Sequence, residues 1–302
     1  MSVAEARDGR ARKGAVQRAL EAVGAENLSL LIALAILVAL IASQSDAFFS
    51  SRNMLNIAQN MAVTGLVAVG MTMVIVSAGL DISAGSIAGV AGVVCALLVT
   101  QAGTLVGGVA GGVAAGALLG LVNASIINYL RVNPVVATLA TLSAFRGVAF
   151  LIAPEGKPVG VLDPTFALLG SGRLFQVAGF PGLPIAFLIM AVAAIAGHFV
   201  MSQTVFGRSI YSMGGNPAAA RLAGIDLNRM RLAIYTIAGA LSGLAGVILV
   251  ARTSSGQPQA GTGLELEAIT SVFLGGRCWR GARGPSRGRC SRSSCSPCCR
   301  TG

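Results

Sequence analysis

Seven long apolar stretches, each nearly free of charge, leave this chain few folds to choose from. They are Leu28–Ala42, Ile57–Ala78, Ser86–Gln101, Thr104–Leu130, Pro134–Ala153, Leu183–Ser202 and Leu232–Ala251. A helix crossing about 30 Å of hydrocarbon needs roughly 17–25 mostly apolar residues. Most of the stretches reach that length, and the shorter ones can borrow flanking Ser, Gln or Gly. Inside lipid every backbone N–H and C=O must find an internal partner, so such stretches become helices. The expected fold is all-α: a polytopic transmembrane helical bundle of about seven to eight apolar segments, the eighth a short one at Leu264–Leu274.

Composition agrees. Only 11% of the 302 residues are charged, where soluble domains carry about 25%. Glycine is abundant, at 40 residues, and small residues let transmembrane helices approach closely. Gly107, Gly108, Gly111, Gly112, Gly116 and Gly120 fall in one segment. Tight helix packing explains them simply; a sliding face used in gating is the alternative. The net charge of +11 could suggest nucleic acid. The basic residues instead gather in the first 20 residues, in Gly207–Arg231 and in the last 26. The first two clusters fit juxtamembrane charge, with no nucleic-acid partner.

No small-residue cleavage site stands out after the first apolar run, so Leu28–Ala42 reads as a retained span. Short loops rich in Lys and Arg stay in the cytoplasm. With the N-terminus cytoplasmic, that side holds ten basic residues: Arg7, Arg10, Arg12, Lys13, Arg18, Arg131, Arg208, Arg221, Arg229 and Arg231. The other side holds four, Arg52, Lys157, Arg173 and Arg252. Pro154–Gly182 is then an external, structured loop. The expected domains are a basic arm (1–27), a transmembrane domain (28–276) containing a cytoplasmic loop at 203–231, and a tail (277–302).

No GxxxxGK[ST] phosphate loop is present, so the chain is not expected to hydrolyse ATP. No metal-binding constellation occurs in its body. His198, the one histidine, stands near the end of a span and reads as interfacial rather than as a ligand.

Three polar features interrupt the apolar pattern. In Gly79-Leu80-Asp81-Ile82-Ser83-Ala84-Gly85-Ser86, Asp81 and Ser83 can cap a helix beginning near Ser86. On that reading Asp81→Asn is nearly silent. The alternative is a discontinuous element lining a pathway, because irregular backbone at depth survives only against protein or a cavity. Arg146 lies in the middle of a span, where a charge faces the bundle interior or water. It reads as a helix-pairing residue before a substrate contact, and its partner is not identifiable from sequence. Finally, Thr204–Arg231 holds a Gly214-Gly215 turn, Asn216 as N-cap, Pro217 at the first helical position, an Ala-rich run through Ala219, Ala220 and Arg221, and Gly224 as a stop. A plain connector needs no capped helix; a docking element for a cytoplasmic partner explains one better.

With these motifs in place, residues 25–276 resemble the membrane permease subunit of bacterial ABC importers, in the ribose/xylose-type monosaccharide branch. The motifs that carry the resemblance are GLDISAGSIAGVAG at 79–92, NPVVATLATLSAFRGVAFLI at 133–152, TVFGRSIYSMGGNPAAARLAGI at 204–225 and GTGLELEAITSVFLGG at 261–276. The resemblance implies that Gly215–Ile225 is the coupling helix that meets the ATPase. It also implies two permease copies, two ATP sites on partner subunits with no cofactor in this chain, an external sugar-binding protein, and a place in the bacterial inner membrane. Three alternatives remain. One is a permease for another solute, such as branched-chain amino acids or nucleosides. A second is a secondary transporter, against which stands the lack of a carboxylate near Arg146. The third is a non-functional truncated permease.

After Gly276 the character changes. The last 26 residues hold seven Arg, five Cys and the single Trp, with no Asp, Glu, Leu, Ile or Val. The family would continue with a Gly-rich turn and further spans. A GC-rich gene read in the wrong frame gives such a composition, so a frameshift is expected. Cys290, Cys295, Cys298 and Cys299 fit tetrahedral zinc spacing poorly.

Overall fold

The structure, a computed structural model, describes residues 25–44, 48–174 and 182–275. The expected tail and most of the basic arm lie outside these residues. Among them run eleven α-helices: α1 (Ala25–Gln44), α2 (Ser51–Val76), α3 (Ala84–Ala102), α4 (Leu105–Tyr129), α5 (Pro134–Ile152), α6 (Pro164–Ser171), α7 (Ile185–Gln203), α8 (Val205–Gly215), α9 (Pro217–Leu222), α10 (Leu227–Thr253) and α11 (Leu264–Leu274). Contacts divide the chain at Ile57 into two compact units.

Among the described residues six helices are long and apolar enough to cross a membrane: α2, α3, α4, α5, α7 and α10. They match the second to seventh expected spans. The first expected span falls within α1, whose apolar part Ile32–Gln44 is shorter. Glu26 and Asn27 before the run and Ser43 and Gln44 after it leave about 22 Å of apolar helix for about 30 Å of hydrocarbon. The eighth segment forms α11 with the bounds expected of it.

The chain is mostly helical, as expected, with a little extended backbone besides. Two antiparallel ladders of two residues each close the loops: β1 (Val159–Gly160) with β4 (Ser255–Gly256), and β2 (Arg173–Leu174) with β3 (Leu183–Pro184). Extended loop backbone must satisfy its own polar groups, and Val161 N–H donating to the Ser254 carbonyl at 2.9 Å continues the first ladder. Within Pro154–Gly182 the described residues also hold a 3-10 turn at Pro154–Gly156 and α6, capped by Asp163 accepting from Thr165 N–H. The Thr165 hydroxyl and amide hold the Asp163 carboxyl below the usual carboxylate range.

At the heart of the second unit, α3, α4 and α10 pack together. The α4 glycines explain the seam. Gly108, Gly112, Gly116 and Gly120 recur every four residues and are buried, so they share one face. A β-carbon on Gly116 would stand 2.4 Å from the Gly239 carbonyl oxygen, and one on Gly120 2.1 Å from that of Tyr235. Gly107 is exposed and Gly111 half-buried, so the seam is narrower than the run of glycines. The α7 face bearing Val192, Ile195 and Phe199 is exposed.

Candidate functional site

The loop between α7 and α10 folds as two short helices. Thr204 caps α8, its hydroxyl accepting from Gly207 N–H at 3.1 Å. Gly214 and Gly215, expected to form a turn, instead complete the last turn of α8. Gly214 serves close approach: a β-carbon there would lie 1.8 Å from the Val76 carbonyl oxygen. The break comes at Asn216, whose extended backbone (φ −151°) ends α8 and starts α9. Its side-chain oxygen accepts from Ala218 N–H and Ala219 N–H, both at 3.1 Å, with Pro217 in the first turn. Gly224, at φ +81°, provides the left-handed stop. Ala220 is buried in the core cluster beneath, while Ala219, Arg221 and Leu222 are exposed. Asp226 then caps α10 through Asn228 N–H and Arg229 N–H.

The Asp81 loop does different work from the capping expected of it. Helix α3 starts at Ala84, earlier than expected, and its N-cap Ser83 makes no side-chain capping bond. Asp81 Oδ1 accepts from Ser83 N–H at 2.9 Å and from the Ser83 hydroxyl at 2.6 Å, closing a turn within the loop. The φ of −85° and ψ of −3° at Ser83 are helical rather than extended, which explains why the capping geometry fails. Asn123 on α4 then donates to Ser83 Oγ at 2.7 Å. Tyr235 on α10 donates from its hydroxyl to the Leu80 carbonyl at 3.1 Å. Asp81, Ser83 and Asn123 are all buried. Among the described residues, Asp81 Oδ2 and Asn123 Oδ1 have no hydrogen-bond partner, a costly arrangement.

Arg146 does have partners. Its Nη1 donates to the Pro258 and Ala260 carbonyls, both at 2.7 Å. These carbonyls belong to the irregular stretch between β4 and α11, where Gly261 and Gly263 adopt positive φ. Buried Glu265, at the start of α11, lies close enough to act electrostatically on Arg146. The expectation that no carboxylate lies near Arg146 is therefore overturned: the two are 119 positions apart in sequence, and folding brings them together. Glu265 Oε1 accepts from Gly263 N–H at 3.3 Å, and Oε2 is buried without a partner among the described residues. Helix α3 fits between: a β-carbon on Gly85 would lie 2.1 Å from Glu265 Oε2, and one on Gly89 2.9 Å from Arg146 Nη1.

Three of the four sequence motifs thus meet around the first turns of α3. Asp81 and Ser83 face Asn123 on one side, and Gly85 and Gly89 face Glu265 and Arg146 on the other. Residues Gly215 to Gly224, in the loop between α7 and α10, stand apart, linked to this region by Gly214 packing on Val76 at the end of α2. Sequence reasoning missed Asn123, Tyr235 and Glu265. An acid inside the apolar run Leu264–Leu274 was a usable signal for Glu265; nothing in the local pattern marked the other two. His198 is exposed and lines a cleft of about 460 Å³ with Arg208, Thr72 and apolar residues of α2 and α7. Among the described residues no three His, Cys, Asp or Glu side chains gather as metal ligands.

Residues 53–288 match the family described as "Branched-chain amino acid transport system / permease component". The chain belongs to that permease family. The permease is thus a multi-pass membrane transport protein rather than an enzyme. The match runs past Gly276, where the composition changes, to residue 288. The ribose import permease protein RbsC of Escherichia coli (strain K12) is 40% identical over 258 residues, 84% of this chain and 78% of the relative. The L-arabinose transport system permease protein AraH of the same strain is 35% identical over 259 residues, covering 86% and 77%. The xylose transport system permease protein XylH of Haemophilus influenzae is 30% identical over 322 residues, covering 88% and 86%. No solved structure matches.

Proposed function

We propose that the permease forms the translocation pathway of a bacterial inner-membrane ABC importer for a monosaccharide. The observation that carries this is the likeness, over most of the chain, to permeases named for ribose, L-arabinose and xylose. The solute is delivered by an external sugar-binding protein, and ATP is bound and hydrolysed on partner subunits. The capped, exposed α9 is the coupling helix, with Gly214, Gly215, Asn216, Pro217, Ala219, Ala220, Arg221 and Gly224 setting its geometry and Ala219 on its docking face. Asp81, Ser83 and Arg146 organise the pathway from behind rather than capping a helix. A second permease copy completes the pathway, and the exposed apolar faces of α5 and α7 are available for it or for lipid.

The N-terminus is cytoplasmic on this reading, and residues 28–276 form the transmembrane domain. The frameshifted tail at 277–302 is tested by resequencing the 3′ end of the gene in related strains; an identical frame throughout would contradict it.

The coupling role is tested with Ala219→Glu. Placing a carboxylate in a docking face is costly, yet the change lies outside the apolar spans, so insertion is retained. Co-purification of the ATPase subunit and uptake are both expected to fall. Gly215→Pro is expected to act alike by disrupting the last turn of α8, where proline lacks the N–H donor, and not by a steric clash, since a β-carbon at Gly215 meets nothing within 4 Å. Normal assembly and uptake in both variants would leave α9 a mere connector.

A further inference from the structure

One cleft shares Arg221 with α9 but is otherwise not absorbed by this reading. It lies where the α4–α5 turn meets α9 and the first turn of α10, and its volume is about 630 Å³. Three guanidinium groups line it: Arg131, Arg221 and Arg231. They arrive from three separate elements. Arg131 sits in the tight turn after α4 with φ +53°. Arg221 closes α9, and Arg231 lies in the first turns of α10.

Among the described residues no carboxylate lines the cleft. Arg231 donates to Asn128 Oδ1 at 2.6 Å, a neutral partner that fixes its direction and leaves its charge. Asn128 Nδ2 in turn donates to the Asn228 carbonyl at 2.9 Å, so the floor is held in shape by hydrogen bonds. The acid nearest in sequence, Asp226, lines an adjoining cleft with Arg221. It pairs at 3.1 Å with Arg229, which does not line the arginine cleft. Arg131 and Arg221 have no hydrogen-bond or ion-pair partner among the described residues.

The rim supplies the second half of the chemistry. Tyr129, a lining residue, is 77% exposed, and Leu130 beside it is 68% exposed. Tyrosine favours the headgroup level of a bilayer, with its ring toward the acyl region. The cleft thus combines three cations with an apolar rim at the end of two spans. Arginines that served only to set topology would need no common cleft. Basic pockets between transmembrane helices bind anionic headgroups, and guanidinium matches phosphate oxygens in a bidentate manner.

We propose that this arginine cleft holds the phosphate headgroup of an anionic phospholipid, with Arg131, Arg221 and Arg231 as its ligands and Tyr129 at the acyl boundary. The site depends on membrane insertion and not on which solute is carried, so it stands or falls separately from the transport reading.

The test uses the full-length permease in nanodiscs of phosphatidylcholine containing an equal minor fraction of either phosphatidylglycerol or cardiolipin. Native mass spectrometry then counts the lipids that stay bound. The anionic lipid is expected to be retained over phosphatidylcholine. Arg131→Gln and Arg221→Gln are each expected to lower retention by about fivefold. Arg131→Lys, which keeps the charge, is expected to retain most of it, and Arg229→Gln, outside the cleft, all of it. Equal retention of phosphatidylcholine, or unchanged retention in the two Gln variants, would overturn the proposal. Displacement by soluble glycerol 3-phosphate as readily as by lipid would make the cleft a site for a soluble anion. Displacement on assembly with the ATPase subunit would assign it to an acidic protein surface. Either result also overturns it.

Discussion

Asn123 on α4 donates a hydrogen bond of 2.7 Å to the Ser83 hydroxyl, which itself donates at 2.6 Å to Asp81. This relay ties the loop before α3 to the middle of the bundle, entirely out of contact with solvent. Ser83 is the shared member. Ser83→Ala removes both links and leaves Asp81 and Asn123 without the hydroxyl that joins them. A loss of about 1–3 kcal/mol is expected, read as lowered thermal stability in detergent. Asn123→Ala is expected to cost a similar amount, and the double variant less than the sum, because both changes cut one network. Strict additivity would show that the relay does not act as a unit.

The glycine seam makes a contrasting pair of variants. Gly116→Ala drives a methyl group against the backbone of Gly239 and Gly243. Backbone cannot yield as a flexible side chain does, so α4 and α10 must separate, at a cost of about 1–3 kcal/mol or more. Gly147 on α5 meets nothing within 4 Å. Gly147→Ala is expected to be neutral or to stabilise by up to about 1 kcal/mol, through helix propensity. Thermal unfolding of the two purified variants reads the difference, and equal effects would contradict close approach as the reason for Gly116.

Arg146 and Glu265 form the second polar centre. Arg146→Gln strands the Pro258 and Ala260 carbonyls and leaves Glu265 without its neighbouring cation. The two side chains make no direct ion-pair contact, so the loss is expected to fall below the about 3–5 kcal/mol of a broken buried ion pair, the more so because Arg146 is only partly buried. Adding Glu265→Gln is expected to recover part of the loss, measured as a double-mutant cycle. No recovery would separate the two residues functionally.

Much of the fold was legible because lipid imposes a simple rule on long apolar runs. The six longest became helices, and α11 kept its bounds. The capped helix α9 was legible for a local reason: Asn216, Pro217 and Gly224 each act within a turn of their own position. What failed was long-range. Gly214 looked like a turn residue, yet it is small because Val76 packs on it. Asp81 looked like a cap, yet its loop is tied through Ser83 to Asn123 on α4 and through Leu80 to Tyr235 on α10. The approach of Glu265 to Arg146 had no local signature for the same reason.

Topology is open to direct labelling. Gly160 lies exposed in β1 and Ala219 exposed in α9, so a cysteine at either place is reachable from its own side. With a cytoplasmic N-terminus, Gly160→Cys reacts with an impermeant maleimide added to intact cells and Ala219→Cys does not. The reverse pattern would invert the orientation and move α9 away from any cytoplasmic ATPase.

The central claim is ATP-driven passage of a monosaccharide through this chain. It is tested most directly by reconstituting the permease with its ATPase subunit in proteoliposomes, adding the sugar-binding protein outside, and following entry of labelled ribose, L-arabinose and xylose. Accumulation of one of these sugars that requires both ATP inside and the binding protein outside is the predicted result. Uptake that ignores ATP and follows an imposed ion gradient, or accumulation of a branched-chain amino acid in place of all three sugars, would contradict it.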